Sequence, residues 1–108
     1  MSDDEWPPLE ARARAALWAA ERHLGNRDYV AAAMSLGPAV AYGDAGTAAV
    51  ARGMRQLAAA GYRCQTGDVA RARRHLARAR ERLSAFPPVF QEVELGALLE
   101  VVVSSLDS

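Results

Sequence analysis

The sequence predicts an all-α fold, a small bundle of four to five antiparallel helices. Apolar residues recur at helical spacing through most of the chain, cap and turn residues separate these stretches, and a single strand candidate has no partner. The 108 residues, 51% of them hydrophobic, are enough for one domain with its own core. We therefore predict a single domain over residues 1–108, with an acidic, flexible tip at residues 1–6.

The first part of the chain is predicted to form two helices. Helix one follows Pro7-Pro8 and ends at Gly25-Asn26. Its apolar side consists of Leu9, Ala13, Leu17, Ala20 and Leu24. Asp28 is the expected cap of helix two, and the apolar side of that helix consists of Tyr29, Ala32, Ala33 and Leu36. Gly37-Pro38 breaks or kinks helix two, with a continuation from Ala39 to Tyr42.

Helices three and four are predicted on either side of a turn at Thr66-Gly67. Thr47 is the expected cap of helix three, which follows the loop Gly43–Gly46. Its apolar stripe consists of Val50, Met54, Leu57, Gly61 and Cys64. Asp68 is the expected cap of helix four, which has the clearest amphipathic pattern in the chain. That pattern consists of Val69, Ala72, Leu76, Ala79 and Leu83.

Helix five is predicted from Val89 to Leu106, after Phe86-Pro87-Pro88 ends helix four. The β-branched run Val101-Val102-Val103 allows a strand, but the long apolar pattern after the prolines favours a helix. The side expected to pack on the bundle consists of Phe90, Val93, Ala97 and Val101. A second strip, expected to be exposed, consists of Leu95, Leu99, Val102 and Leu106. Such a strip indicates an interface, with a two-fold homodimer as the default form; the alternative is a central helix covered on all sides.

The chain also matches itself at a shift of 40 residues. Asp28 aligns with Asp68, and the apolar residues that follow it align with those of helix four. The spacing from Gly67 through Ala79 resembles the second helix of a tetratricopeptide repeat. We therefore predict two helical hairpins with tetratricopeptide-like packing, followed by a C-terminal helix.

Residues 9–106 are similar to a small all-helical prokaryotic family labelled "domain of unknown function 309". The segments that carry the resemblance are Arg52–Ala60, Gly67-Asp68, Pro87-Pro88 and Val93–Leu99, with Ala72, Leu76, Ala79 and Leu83. The family's most recognisable motif is Tyr-Phe-Glu-Ala-His-Glu-x-Leu-Glu followed by Trp. Here Ala33 stands at the His position, and Met34 and Gly37 stand at acid positions. The resemblance implies an all-helical fold, and a polar or metal site formed by that motif in relatives is absent from this chain.

Charge is distributed unevenly, although the net charge is zero. All thirteen basic residues are Arg; residues 49–85 carry nine of them and two acids, whereas residues 86–108 carry four acids and no Arg. Four arginines at spacings of three, four and four form one ridge of helix four: Arg71, Arg74, Arg78 and Arg82. The ridge has three interpretations, a solvated face offset by acids elsewhere in the chain, a docking face for an acidic protein, or a nucleic-acid contact.

Candidate catalytic groups are few and widely spaced. His23, Cys64 and His75 contain no close-spaced metal-ligand pair, and Cys64 lies on an apolar stripe where a thiol behaves as a small hydrophobe. Glu92 and Glu94 diverge if they lie on a helix, and no strand precedes a glycine-rich phosphate loop. We therefore predict that the protein is not an enzyme and has no catalytic, metal or cofactor site.

The predicted function is a non-catalytic helical module that binds another protein or a second copy of itself. The predicted partner-binding residues are Arg71, Arg74, Arg78, Arg82, Leu95, Leu99 and Val102. One alternative is a nucleic-acid-associated protein that uses the Arg ridge, and a second is a metal-dependent enzyme built from His23 and His75. The acidic start Met1–Glu5 differs from a basic signal peptide, and no apolar run reaches 18 residues, so we expect a cytoplasmic protein without a membrane segment.

Overall fold

A computed structural model of the chain describes residues 8–107, which form the predicted all-α bundle. Its six helical segments are α1 Leu9–Gly25, α2 Tyr29–Ser35, α3 Gly37–Tyr42, α4 Ala45–Gln65, α5 Val69–Leu83 and α6 Leu95–Asp107. Two short antiparallel strands, β1 Val89–Phe90 and β2 Val93–Glu94, precede α6. The predicted tip at residues 1–6 lies outside the described residues. Within residues 8–107, no helix combines the length and the apolar character needed to cross a bilayer.

The core lies around α4, the longest helix, which packs against all the other helices. The largest fully buried side chains are Leu17, Leu24, Leu36, Val50, Met54, Leu57, Val93, Leu95 and Val102. Two glycines in α4 permit close packing, because a Cβ at Gly61 would overlap the Tyr29 ring and one at Gly53 would overlap Leu83. The second predicted helix is broken as expected, since α2 ends at Ser35 and α3 begins at Gly37.

The turns that join α1 to α2 and α4 to α5 have the same backbone hydrogen bonds, forty residues apart. The Asp28 N–H donates to the His23 carbonyl at 2.8 Å, and the Asp68 N–H donates to the Arg63 carbonyl at 2.9 Å. The internal match seen in the sequence therefore corresponds to a repeated turn.

Both turns also position a capping carboxylate. The two aspartates accept hydrogen bonds from the backbone N–H groups of Ala31 and Arg71, at 3.3 and 3.2 Å. The residue before each aspartate has a left-handed backbone, with φ of 59° at Arg27 and 85° at Gly67. The predicted caps of these two helices are thus confirmed.

The predicted cap of helix three is wrong. Asp44 caps α4 by accepting from the Thr47 backbone N–H at 2.8 Å, and this hydrogen bond lowers the pKa of Asp44. Thr47 lies inside the helix and is buried, and its hydroxyl accepts from Gln91 Nε2 at 2.9 Å. Helix α4 therefore begins two residues before Thr47, since the Asp44 carboxylate is available as the stronger acceptor.

The predicted start of helix five is also wrong. Residues 89–94 form a β-hairpin rather than a helix, and α6 begins only at Leu95. The hairpin turn consists of Gln91 and Glu92, whose φ angles of 47° and 68° suit a tight turn between twisted strands. The run Val101-Val102-Val103 is helical, as predicted.

Hydrogen bonds from distant parts of the chain hold this hairpin. Trp18 Nε1 donates to the Gln91 carbonyl at 2.9 Å, and the Glu94 backbone N–H donates to the Glu21 carboxylate at 2.8 Å. Both partners lie on α1, so packing against α1 supports a turn that the local sequence does not favour.

The predicted exposed strip on the last helix is not exposed. Leu95, Leu98 and Val102 are buried because α6 packs across α1, α4 and α5 at once. Leu99 is partly buried against the same core, whereas Ala97, expected to face the bundle, is exposed. The prediction that Leu95, Leu99 and Val102 contact a partner depended on an exposed strip, and the structure does not have one. The alternative, a helix covered by the rest of the bundle, describes α6 better.

Candidate arginine-lined binding site

Four arginines line a shallow depression between α4 and α5. Arg63 lies on α4 near its C-terminal end, and Arg71, Arg74 and Arg78 lie on successive turns of α5, with His75 among them. The depression has a volume of about 290 Å³. We call these five residues the arginine cleft. The helical spacing predicted three of these arginines as one group, but it did not indicate that Arg63 and His75 belong to the same site.

The fold explains why these side chains share one site. Ala72, Leu76, Ala79 and Leu83 are buried, so the cleft arginines of α5 lie beside this stripe, on an exposed flank of the helix. The short turn at residues 66–68 returns the chain antiparallel to α4, and this brings Arg63 alongside the start of α5. The repeated turn was the sequence signal that could have placed Arg63 there.

The predicted ridge divides into two parts. Arg82 does not line the cleft; with Arg52, Arg78 and Glu81 it lines a second depression nearer the end of α5. Arg71 pairs with Asp68 at 3.5 Å, and both side chains are substantially exposed. Within residues 8–107, no carboxylate lies within ion-pair distance of the other three ridge arginines. Among the described residues, direct pairing with an acid therefore involves only Arg71 of the ridge.

His75 is half-buried, and a hydrogen bond from Gln56 selects one tautomer of its neutral ring. Gln56 Nε2 donates to His75 Nδ1 at 2.6 Å, so the neutral ring carries its proton on Nε2. Partial burial lowers the pKa of His75, and the positive charges of the four cleft arginines, Arg78 first, lower it further. The cleft thus favours a neutral histidine that is still a hydrogen-bond donor.

An apolar groove adjoins the cleft on the other side of α4. Its lining includes Val30, Ala33, Met34, Arg55, Ala59 and Tyr62, and its volume is about 280 Å³. Met34 is 78% exposed and Val30 55% exposed, and both line this groove, so they form part of one exposed apolar patch. Arg63 joins the two sites, because its guanidinium carbon lies 5.9 Å from the centroid of the Tyr62 ring.

The other candidate groups lie elsewhere. Cys64 is half-buried, and its thiol donates to the Ser105 carbonyl at 3.1 Å. Glu92 and Glu94 do not diverge on a helix as expected; they lie in the hairpin and line a shallow groove with Glu21. In the described part of the chain, no group of three or more His, Cys, Asp or Glu residues is arranged to hold a metal ion.

Comparison with known proteins gives no match: no family model, no curated protein and no solved structure resembles this chain. The similarity to the family labelled "domain of unknown function 309" therefore stays a prediction, as does the tetratricopeptide-like character of the hairpins.

The chain's own first hairpin is the comparison that bears on the cleft. At a shift of 40 residues, the positions of Arg71, Arg74 and Arg78 are occupied by Ala31, Met34 and Pro38. The same turn, cap and buried stripe thus form without a single arginine at these positions. The arginines of the cleft are not needed to build a hairpin of this kind.

Proposed function

We propose that this protein is a non-catalytic helical module that binds an acidic, partly apolar segment of another protein. The binding surface is the outer face of α2, α4 and α5, where the arginine cleft and the apolar groove meet at Arg63 and Tyr62. The observation that carries this proposal is a cluster of four arginines, of which only Arg71 has an ion pair within the described residues, set beside exposed apolar side chains.

The energetics of α5 support a binding role for the arginines. Arg71 and Arg74 are three residues apart, and Arg74 and Arg78 are four apart, so like charges adjoin along the helix. Each such pair destabilises a helix by about 0.2–0.5 kcal/mol. Adjoining arginines therefore lower the stability of α5, and the first hairpin lacks them. Such an arrangement is expected at a binding surface, where a partner supplies the opposite charge.

The composition of this surface favours a protein partner. Arginine, tyrosine and methionine are enriched in protein–protein interfaces, and Arg63, Tyr62 and Met34 adjoin one another across α4 and α2. Helix α5 contains no Asn, Gln or Ser, the residues that together with Arg commonly read base edges. The alternative of nucleic-acid binding rests on Tyr62, whose ring beside Arg63 could stack on a base.

The setting of the proposed function is the cytoplasm. The chain contains a single cysteine, Cys64, so no disulfide can form within it. Self-association stays a prediction. Because Leu95 and Val102 are buried, however, the α6 strip cannot be the surface through which two copies associate. Sedimentation of the purified chain at micromolar concentration tests it.

Affinity capture with two matched variants tests the proposed function. R71Q/R74Q/R78Q removes three arginines from the cleft, and R14Q/R22Q/R27Q removes three exposed arginines from α1 and the turn after it; each changes the net charge from 0 to −3. From a lysate of the native cells, we expect a protein retained by the unmodified chain and by the α1 variant but lost from the cleft variant.

Nuclease treatment separates the two candidate functions in the same assay. Retention of the captured protein after nuclease supports direct protein binding. Equal capture by both variants, or loss of capture on nuclease treatment, would overturn the proposal.

A further inference from the structure

We propose that the arginine cleft is an oxyanion site that binds a phosphate monoester, held by the guanidiniums of Arg63, Arg71, Arg74 and Arg78 and by the Nε2–H of His75. The inference rests on the proposed function, because it names the group by which an acidic partner is held.

The geometry of the cleft suits an anion with several oxygens. Guanidinium donors come from both walls, Arg63 from α4 and the other three arginines from α5. Each guanidinium presents a planar fork of N–H donors that matches phosphate oxygens. The depression of about 290 Å³ leaves room beside a phosphate for the group that carries it.

The charge of the cleft favours a dianion over a single carboxylate. Of the four arginines, one is paired with Asp68, which leaves a surplus of three positive charges. A glutamate or aspartate would neutralise one of these charges. A phosphate monoester near neutral pH brings about 1.5 to 2 negative charges and three acceptor oxygens.

His75 supplies a donor without adding to the positive charge. Because Gln56 donates to Nδ1, the neutral ring has its N–H at Nε2. The charged groups around the ring are Arg63 from α4 and Arg71, Arg74 and Arg78 from α5, and all of them lower the pKa of His75. A bound anion opposes that effect, so phosphate binding raises the His75 pKa, and binding and protonation of His75 are coupled.

Proton NMR of the two histidines in the 108-residue chain tests this inference. His23→Gln assigns the His75 signal, and inorganic phosphate is titrated against sodium chloride at equal ionic strength. We expect a saturable shift of the His75 signal with phosphate alone, and a rise in its titration midpoint. R63Q/R74Q is expected to weaken phosphate binding by about tenfold or more, whereas R14Q/R22Q leaves it unchanged.

Two peptides identify the source of the phosphate. If a phosphoserine peptide binds more tightly than inorganic phosphate and its unphosphorylated form does not bind, the ligand is a phosphorylated protein side chain. If the phosphopeptide binds no more tightly than inorganic phosphate, the site takes free phosphate. If neither shifts the His75 signal more than chloride does, or if R63Q/R74Q has no effect on the shift, the inference is overturned.

These outcomes are separable from those of the capture assay. A partner whose capture depends on the cleft, together with no phosphate binding, would keep the proposed function and reject the oxyanion site. Phosphate binding without any cleft-dependent protein partner would reject the proposed function and keep the site.

Discussion

The two hairpins of this protein have one backbone plan and different surfaces. The turns before Asp28 and Asp68 share their hydrogen bonds, their left-handed residue and their capping carboxylate. After the first turn the helix is broken near Pro38, and neither α2 nor α3 contains a charged residue. After the second turn α5 is continuous and carries six arginines. Caps, turns and buried stripes therefore fix the hairpin, and its exposed positions can differ without changing the fold.

The buried leucines that the two hairpins share give the largest expected effects. Leu36 and Leu76 are forty residues apart, and they are 0% and 6% exposed. Replacing either by alanine is expected to lower the free energy of unfolding by about 2–5 kcal/mol, because a cavity remains in the core. Leu36→Ala should have the larger effect, since Leu36 is more completely buried. Urea unfolding of the two variants measures both free energies. A larger loss of stability for Leu76→Ala than for Leu36→Ala would contradict the expectation that burial sets the size of the effect.

The capping aspartates are expected to differ because of their surroundings. Alanine at either position removes a helix cap and lowers stability by about 0.5–2 kcal/mol. Asp68→Ala should cost more than Asp28→Ala at low salt, because Asp68 also pairs with Arg71. The difference should shrink as salt is added. Asp68→Asn, which keeps a capping oxygen without the charge, serves as the control; a difference that persists at high salt would contradict an electrostatic cause.

His75 gives the second hairpin a pH dependence that Ser35, its counterpart in the first hairpin, lacks. In the folded chain the pKa of His75 lies below its ordinary value of 6.5, so the unfolded chain binds the proton more readily. Stability linked to His75 is therefore full above pH 6.5 and declines as the pH falls through the window between 6.5 and the lowered pKa. Urea unfolding as a function of pH should show this decline, and His75→Ser should reduce it. If His75→Ser has the same pH dependence of stability as the unmodified chain, His75 is not the group responsible for it.

Local signals account for the parts of the fold that were predictable. The apolar spacings and the two aspartate caps predicted α1, α2 and α5 closely, because these elements depend on neighbouring residues. The cleft was predictable in part for the same reason, since helical spacing alone places Arg71, Arg74 and Arg78 on one side of α5.

Contacts between distant residues account for the parts that were not predictable. The hairpin at residues 89–94 depends on Trp18, 73 residues away from Gln91, and on Thr47, 44 residues away. Without glycine or asparagine at its turn, its local sequence does not indicate a hairpin. The burial of Leu95 and Val102 depends on how α6 crosses three other helices, and no helical periodicity contains that information.

The smallest expected effect tests the central claim most directly. That claim is that the arginines of the second hairpin serve binding and are not required for folding. R74M/R78A keeps the Arg71–Asp68 pair, removes the adjoining like charges, and introduces at position 74 the residue found in the first hairpin. Urea unfolding at low salt should give an unchanged free energy of unfolding, or an increase of a few tenths to about 1 kcal/mol that fades at about 1 M salt. A loss of more than about 1 kcal/mol at both salt concentrations would show that these arginines are part of the scaffold, and it would contradict the claim.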